Sequence, residues 1–270
     1  MPLLGALLIT EGLLSQEIAE DAKGAEHGNV DGDQGRAAYR EELQALEDQT
    51  LGGIDMARHA LERTLEAVEH QDIELASMVI ADDDRIDGRY LEVHQGILSL
   101  LALQAPVAGD LRLVAALLHV IKHVERMGDQ CVNICKLLPL EGHEPPRDDA
   151  LLDKIIHMGH QVMARMKHAS LAFSHRDVEL AEDLVRQDDV VDDLNREVFR
   201  IAIEIGEDPD TREWAMHMVL VARALERMGD MTVDIGEHTA FVVTGLFREF
   251  QDASHPELNG ARGALPPAPA

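Results

Sequence analysis

The sequence has few aromatic residues and few cysteines, and it has no long apolar run. Phe, Trp and Tyr make up 3% of the 270 residues, so the core must come from Leu, Val, Ile, Ala and Met, which favours helix-on-helix packing over a β-sandwich. No apolar run approaches the roughly 18 residues that a membrane span requires. Cys131 and Cys135 lie one helical turn apart, a spacing that disfavours a disulfide, so we expect two buried thiols.

Basic residues are also scarce relative to acidic ones. Lys and Arg number 24 and Asp and Glu number 51, so the formal net charge is −27. This charge argues against nucleic acid or an anionic membrane surface as the main partner, because both repel an acidic chain. It fits a protein that meets cations or basic protein surfaces, and it also fits a member of a generally acidic proteome.

Common catalytic motifs are missing as well. The chain contains no GxxxxGK[ST] phosphate loop, no GxGxxG and no HExxH. It also lacks Glu-x-x-His, the motif that builds di-iron oxidase sites in helical bundles. We therefore predict a protein that is not an enzyme. The alternative is a metal-dependent enzyme, an oxidase or a phosphatase, in a helical-bundle scaffold.

Apolar residues at helical spacing predict three long helices in each half of the chain. In the first half these helices cover 36–69, 73–104 and 106–138, with Pro106 opening the third. The sequence HQDIELA at residue 70 returns as HRDVELA at residue 175, an offset of 175 − 70 = 105. We predict an all-α fold of two tandem, pseudo-symmetric three-helix bundles, antiparallel and up-down-up, and leave a single six-helix bundle open.

The repeat and the composition of the ends set the predicted domain boundaries. A linker separates the two bundles at Pro139 and the Gly- and Pro-containing stretch 142–146. The ends of the chain lie outside the repeat and are rich in Gly, Ala, Pro or Asp. The predicted units are a flexible N-terminal extension (1–35), a first three-helix bundle (36–140), a second three-helix bundle (147–250) and a disordered tail (251–270).

The sequence Glu-Arg-Met-Gly-Asp occurs twice, at 125–129 and 226–230. Each copy spaces Glu and Asp four residues apart, so both carboxylates lie on one helix face, where like charges repel by a few tenths of a kcal/mol. The preceding helix carries another acidic pair at the same spacing, and a further oxygen-bearing residue follows each motif by one turn. If these helices face each other, the carboxylates converge. The candidate metal ligands are Asp83, Asp87, Glu125, Asp129 and Asn133 in the first repeat and Asp188, Asp192, Glu226, Asp230 and Asp234 in the second.

Ligand sets made only of oxygen atoms favour hard cations. We expect Mg, Mn, Ca or Fe ions, and four carboxylates leave room for more than one ion in each cluster. The alternative is that acidic pairs at this spacing arise by chance on solvated helix faces, which is how we interpret Glu62 with Glu66. Gly128 and Gly229 lie beside the carboxylates and are expected either to admit a close neighbour or to pack helices.

The two motifs resemble those of a known family. VERMGDQCVNI at 124–134 and LERMGDMTVDI at 225–235 resemble the PhoU family of phosphate-transport regulators. So do AGDLRLV at 108–114 and the Asp-x-x-Ile/Val-Asp segments that begin at Asp83 and Asp188. The likeness covers about Tyr39 to Phe247, and its double occurrence makes it specific.

This resemblance implies two similar bundles, each with an acidic metal-binding motif, in a regulator rather than a catalyst. It implies two partners, the ATPase subunit of a phosphate-specific ABC transporter and a phosphate-sensing histidine kinase. The implied role is to repress phosphate uptake and phosphate-starvation signalling when phosphate is plentiful. The implied location is the cytoplasm, peripheral to the inner membrane through these partners, and the oligomeric state, including a homodimer, stays open.

Overall fold

The computed structural model describes residues 32–103, 106–206, 208–247 and 250. Every regular element among them is a helix, which confirms the predicted all-α fold of two three-helix bundles. The first bundle contains α1 (Gly32–His70), α2 (Ile73–Asp82), α3 (Asp84–Leu103) and α4 (Ala108–Cys135). After the short helix α5 (Leu138–Glu141), the second bundle contains α6 (Asp149–His175), α7 (Val178–Glu204) and α8 (Pro209–Thr244). The predicted tail and residues 1–31 of the predicted extension lie outside the described residues.

The same turn connects the first two helices in each repeat. Gln71 and Arg176 adopt left-handed backbone conformations, with φ of 52° and 57°. The next residue, Asp72 or Asp177, caps the following helix by accepting a hydrogen bond from the main-chain N–H three residues later, at 2.9 and 3.0 Å. The repeat read from the sequence is therefore a repeat of local structure as well.

The middle helix of the first repeat is divided, although the sequence pattern predicts one helix over 73–104. The division lies at Asp83, whose carbonyl accepts from the main-chain N–H groups of Ile86 at 2.8 Å and Asp87 at 3.1 Å. The bond to the third residue tightens the turn relative to a regular α-helix. Since α7 runs unbroken past Asp188, the division is specific to the first repeat, and it falls on a candidate ligand.

The third helices of the two repeats begin differently. Pro106 does not open α4 as predicted, because Val107 is the N-cap and the helix begins at the next residue. Valine has no side-chain oxygen, so no side-chain cap forms. In the second repeat Pro209 does occupy the first turn of α8, behind the N-cap Asp208, which accepts from a main-chain N–H at 2.9 Å.

The two bundles share an extensive interface. Helix α4 packs on α8, and α1 packs on α6. Pro139 lies in α5 rather than in an open linker, and Glu141 at the end of α5 contacts Nδ1 of His217 on α8 at 3.2 Å. Arg176 at the end of α6 pairs with Glu47 on α1 at 2.8 Å. The buried apolar side chains of both bundles form one continuous core, so the tandem repeats fold against each other.

The core is built almost entirely from aliphatic side chains and methionine. Cys131 and Cys135 are buried free thiols, as predicted. Burial raises the pKa of Cys131 to about 12 and that of Cys135 to about 11, so both act as small protonated packing groups. Within the described ranges, none of the helices combines the length and the apolarity needed to cross a bilayer.

The interface between α1 and α6 predicts opposite effects for two Gly-to-Ala substitutions. A Cβ at Gly159 would overlap the buried side chain of Leu65, whereas a Cβ at Gly88 has no neighbour within 4 Å. We expect Gly88→Ala to raise the free energy of unfolding by up to about 1 kcal/mol through helix propensity. We expect Gly159→Ala to lower it, because overpacking costs about 1–3 kcal/mol. Chemical denaturation measures both, and equal stabilisation by the two variants would contradict the close approach of α1 and α6.

Candidate functional site

Four of the candidate ligands in the first bundle lie together. Asp83, at the junction of α2 and α3, and Asp87, in the first turn of α3, face Glu125 and Asp129 on α4. The negative charges of Glu125 and Asp129 both act on each of the two aspartates. We call these four residues the first cluster. The arrangement follows from the packing of α3 against α4, which places the two acidic pairs level with each other.

The electrostatics of the first cluster favour protons or cations. Burial raises the pKa of Asp83 to about 6, and the negative charges of its neighbours, first Asp87 and then Asp129, add to this effect. Burial also raises the pKa of Asp87, with the charge of Glu125 as the next cause. Lys122 lies 2.7 Å from Glu125 and offsets part of the negative charge. A cation that entered this cluster would relieve the repulsion.

Gly128 allows Asp83 to approach α4 closely. A Cβ on Gly128 would lie 2.6 Å from Oδ1 of Asp83 and 3.2 Å from a methyl carbon of Ile86. Any side chain at this position would therefore displace the carboxylate and the neighbouring helix. Both predicted roles of this glycine occur together, since it admits a ligand candidate and it packs α3 against α4.

The second bundle contains an internal cation. Arg165 on α6 has a side chain that is 1% exposed, and its Nη1 donates to Oδ1 of Asp188 at 2.5 Å. Its Nη2 donates to the carbonyl oxygen of Gly229 at 2.9 Å. A Cβ on Gly229 would lie 2.9 Å from Nη1, so this glycine makes room for the guanidinium. The buried carboxylate of Asp188 is thus neutralised from within the chain.

Arg165 was not recognised from the sequence, although a signal was present. The residue lies three positions after Val162 and four positions before Ala169, and this spacing places it on the same helix face as these two buried residues of α6. At the repeat offset of 105, Arg165 corresponds to Ala60, since 165 − 105 = 60. An arginine on an apolar helix face, with alanine at the matching place, indicates a buried charge that needs a partner.

The other acidic residues of the second motif surround this ion pair. Burial raises the pKa of Asp192, and the charge of Asp188 is the next cause. Burial likewise raises the pKa of Asp230, followed by the charges of Asp188 and Asp192. Glu226 accepts a hydrogen bond from Arg223 on the same helix. The second cluster, Asp188, Asp192, Glu226 and Asp230, therefore carries arginine partners that the first cluster lacks.

The two candidate ligands that follow the motifs lie elsewhere. Asn133 is exposed on α4. Asp234 faces the other bundle, with Oδ2 3.7 Å from Nε2 of His123 on α4. Arg112, near the N-terminus of α4, donates a hydrogen bond to the carbonyl of Val242, near the C-terminus of α8. The two helices therefore run antiparallel. This crossing turns Asp234 toward the interface between the bundles, a placement that a pattern within one helix cannot predict.

Neither cluster is a preformed metal cage. Among residues 32–103, 106–206, 208–247 and 250, no three side chains of His, Cys, Asp or Glu converge closely enough to hold a metal ion. His119 and His238 stack face to face with ring centroids 4.6 Å apart at the interface between the bundles. Each acidic cluster is thus a set of neighbouring carboxylates, and metal binding would require their side chains to rotate together.

Comparisons with known proteins match both repeats to one family. The PhoU domain model matches residues 54–138 and again 155–239. An accessory protein PhoU homolog of the phosphate-specific transport system from Clostridium acetobutylicum is 30% identical over 219 residues, which cover 80% of this chain and 99% of that protein. The corresponding homolog from Aquifex aeolicus is 32% identical over 187 residues, which cover 69% of this chain and 84% of that protein.

Solved structures show the same architecture. The phosphate transport system regulatory protein PhoU from Streptococcus pneumoniae superposes with a TM-score of 0.71 at 23% identity, over 78% of this chain and 99% of that structure. PhoU from Pseudomonas aeruginosa superposes with a TM-score of 0.68 at 26% identity, over 77% of this chain and all of that structure. The first of these likenesses supports the fold alone, because its sequence identity is low.

The buried ion pair of Arg165 with Asp188 predicts a large loss of stability when the arginine alone is removed, and a smaller loss when both charges are removed. Arg165→Met leaves Asp188 buried without its cation, so we expect the free energy of unfolding to fall by about 3–5 kcal/mol. Adding Asp188→Leu should recover much of that loss, because no buried charge remains. The exposed pair of Arg196 with Asp193 provides the control, and Arg196→Met should change the free energy of unfolding far less than Arg165→Met, because solvent screens an exposed ion pair. Denaturation of the variants measures these differences, and a small effect of Arg165→Met alone would contradict the burial of this pair.

The raised pKa of Asp83 predicts a pH dependence of stability in metal-free buffer. The pKa rises from 3.8 to about 6 in the folded protein, so the folded state holds this proton more tightly than the unfolded state. The resulting stabilisation is present below pH 3.8 and is lost as the pH rises through about 6. Asp83→Asn should remove this part of the loss. Denaturation midpoints measured between pH 4.5 and 7.5 test this expectation. If the midpoints of wild type and Asp83→Asn changed in parallel with pH, Asp83 would have an ordinary pKa and the expectation would be wrong.

Proposed function

The chain belongs to the PhoU family, and we propose that it is an accessory regulator of a phosphate-specific transport system that acts by binding rather than by catalysis. The observation that carries this proposal is the double match of the family domain, with the same Glu-x-x-x-Asp motif on the third helix of each repeat. Relatives from two distant bacteria bear the name of transport-system accessory protein. The lack of common catalytic motifs in the sequence agrees with a binding role.

The first cluster is the stronger candidate metal site. Its donor atoms are carboxylate oxygens, which suit Mg, Mn, Ca or Fe ions. Burial, and then repulsion among these carboxylates, raises the pKa of Asp83 and Asp87. Asp87 and Asp129 are exposed, so both side chains can rotate toward an ion. Bound metal would neutralise this acidic face. More than one ion fits the charge of four carboxylates, and Asn133 is one turn away for a further contact.

In the second bundle the same proposal applies to fewer residues. Asp192, Glu226 and Asp230 remain available to a hard cation, whereas Asp188 would first have to leave Arg165. Asp234 could contribute only by turning away from His123. We therefore propose that the two sites differ in metal affinity, with the first bundle binding more tightly, because its carboxylates have no buried cation of their own.

The proposed partners are the ATPase subunit of the transporter and a phosphate-sensing histidine kinase, on the cytoplasmic side of the inner membrane. Metal on the acidic faces would set the charge of the docking surface for these partners. In this scheme the protein represses phosphate uptake and phosphate-starvation signalling when phosphate is plentiful. A homodimer is compatible with this role and is not required by it.

A reporter of phosphate starvation tests the function in cells that lack this protein and grow in phosphate-rich medium. Wild type should silence the reporter, because the regulator represses starvation signalling when phosphate is plentiful. A variant without the motif carboxylates should fail, because it cannot hold the metal that shapes its docking surface. The four substitutions are Glu125→Ala, Asp129→Ala, Glu226→Ala and Asp230→Ala.

The matched control removes an acidic pair at the same spacing outside the clusters. Glu62 and Glu66 are both exposed on α1, so Glu62→Ala with Glu66→Ala should silence the reporter like wild type. All proteins must be present at equal levels. Silencing by the four-site variant would refute the role of the carboxylates and leave the phosphate role intact. Failure of wild type would refute the phosphate role itself.

A further inference from the structure

The two bundles differ in the residue that pairs with the aspartate of the middle helix. In the second bundle Arg165 fills the space between Asp188 and the carbonyl of Gly229. The first two helices of the repeats are related by the offset of 105, and the Glu-Arg-Met-Gly-Asp motifs on the third helices by 226 − 125 = 101. The matching residues are therefore Ala60, Asp83 and Gly128, because 165 − 105 = 60, 188 − 105 = 83 and 229 − 101 = 128. The first bundle therefore keeps the two acceptors and lacks the cation.

In the first bundle, the residues at the three matching positions line a cavity. It has a volume of about 150 Å³, and Ala60, Asp83 and Gly128 are among the residues that line it, with Ile86 and Cys131 on the apolar side. A cavity of about this size accommodates a benzene-sized molecule. A guanidinium group is smaller than benzene and planar, so the space is sufficient for it.

Two arginines also line the cavity, Arg63 on α1 and Arg85 on α3. Arg63 pairs with Asp82 at 2.5 Å, and both side chains reach solvent. The matching positions in the second bundle hold a similar contact, between Nδ1 of His168 and Oε1 of Gln187 at 3.0 Å. In both bundles, therefore, a polar pair at this position bridges the first and second helices, and in the second bundle an additional guanidinium lies behind it.

We propose that the cavity of the first bundle binds a guanidinium-type cation supplied from outside the chain, either a free small molecule or an arginine side chain of a partner protein. The second bundle shows the required contacts, since one N–H bonds to a carboxylate and another to a main-chain carbonyl. Asp83 supplies the carboxylate and Gly128 the carbonyl. Such charge-assisted bonds are the strong ones in protein interiors. This proposal does not rest on the phosphate role. The site shares Asp83 with the proposed metal site of the first cluster, so a metal ion and a guanidinium would compete for that carboxylate, and the test is made without metal.

Methylguanidinium chloride is the probe, titrated by calorimetry into the full-length protein in EDTA-containing buffer at constant ionic strength. Wild type should bind one equivalent at a saturable site. Ala60→Arg should bind none, because the new side chain fills the cavity as Arg165 fills its own. Arg165→Ala should bind two, because it opens the equivalent space. Tetramethylammonium has no N–H donors and should not compete.

Asp83→Asn keeps the test decisive if Arg165→Ala does not fold. This partly exposed substitution should weaken methylguanidinium about tenfold or more, because a charged acceptor becomes neutral. Circular dichroism establishes that each variant is folded. No saturable binding by wild type, or equal binding by wild type and Ala60→Arg, would overturn the proposal.

A pair of short peptides identifies the source of the cation. One contains arginine, and the other contains citrulline, its neutral isostere, at the same place. Competition with methylguanidinium by the arginine peptide alone would support a partner side chain as the ligand. Competition by neither peptide, with methylguanidinium still bound, would support a free small molecule, because the cavity would then exclude an attached chain.

Discussion

The structure depends on how carboxylates placed inside helix bundles are compensated. A buried carboxylate without a partner is costly, so it must gain a proton, a metal ion or an internal cation. The second bundle uses an internal cation, because Arg165 lies between Asp188 and Gly229. The first bundle has no equivalent arginine, and the pKa of Asp83 rises to about 6. The same motif therefore exists in two electrostatic states within one chain.

Two identical repeats would carry two acidic clusters with the same role. Because only the second cluster has an internal cation, the two clusters can have different roles. A cluster that carries its own cation is structurally complete, and it can hold three helices together without any ligand. In our proposal, a cluster without an internal cation responds to its surroundings, because a proton or an added cation would neutralise it. The division of the middle helix at Asp83 accompanies this difference, while α7 continues unbroken past Asp188. The first repeat is thus the one in which we place ligand-dependent behaviour, whereas the second repeat already holds its own cation.

Much of the architecture was predictable because the responsible interactions are local. Helical spacing of apolar residues, the Asp72 and Asp177 caps and the repeat of the turn between them each depend on residues within a few positions of one another. The fold class, the bundle count and the neighbouring positions of the four acidic residues in each repeat follow from these signals. The start of α4 was predicted less well, because Pro106 suits either the first turn or the position just before the N-cap.

The sequence by itself determined the all-helical repeat, the buried thiols and the pairing of acidic residues on facing helices. Only the tertiary structure decided which charges meet. Arg165 contacts Asp188 and Gly229 from a third helix, and Asp234 turns toward His123 of the other bundle rather than into its own cluster. The physical reason is that the period of a helix fixes which residues share a face. The partner of that face depends on the rotation and register of helices that are distant in the chain.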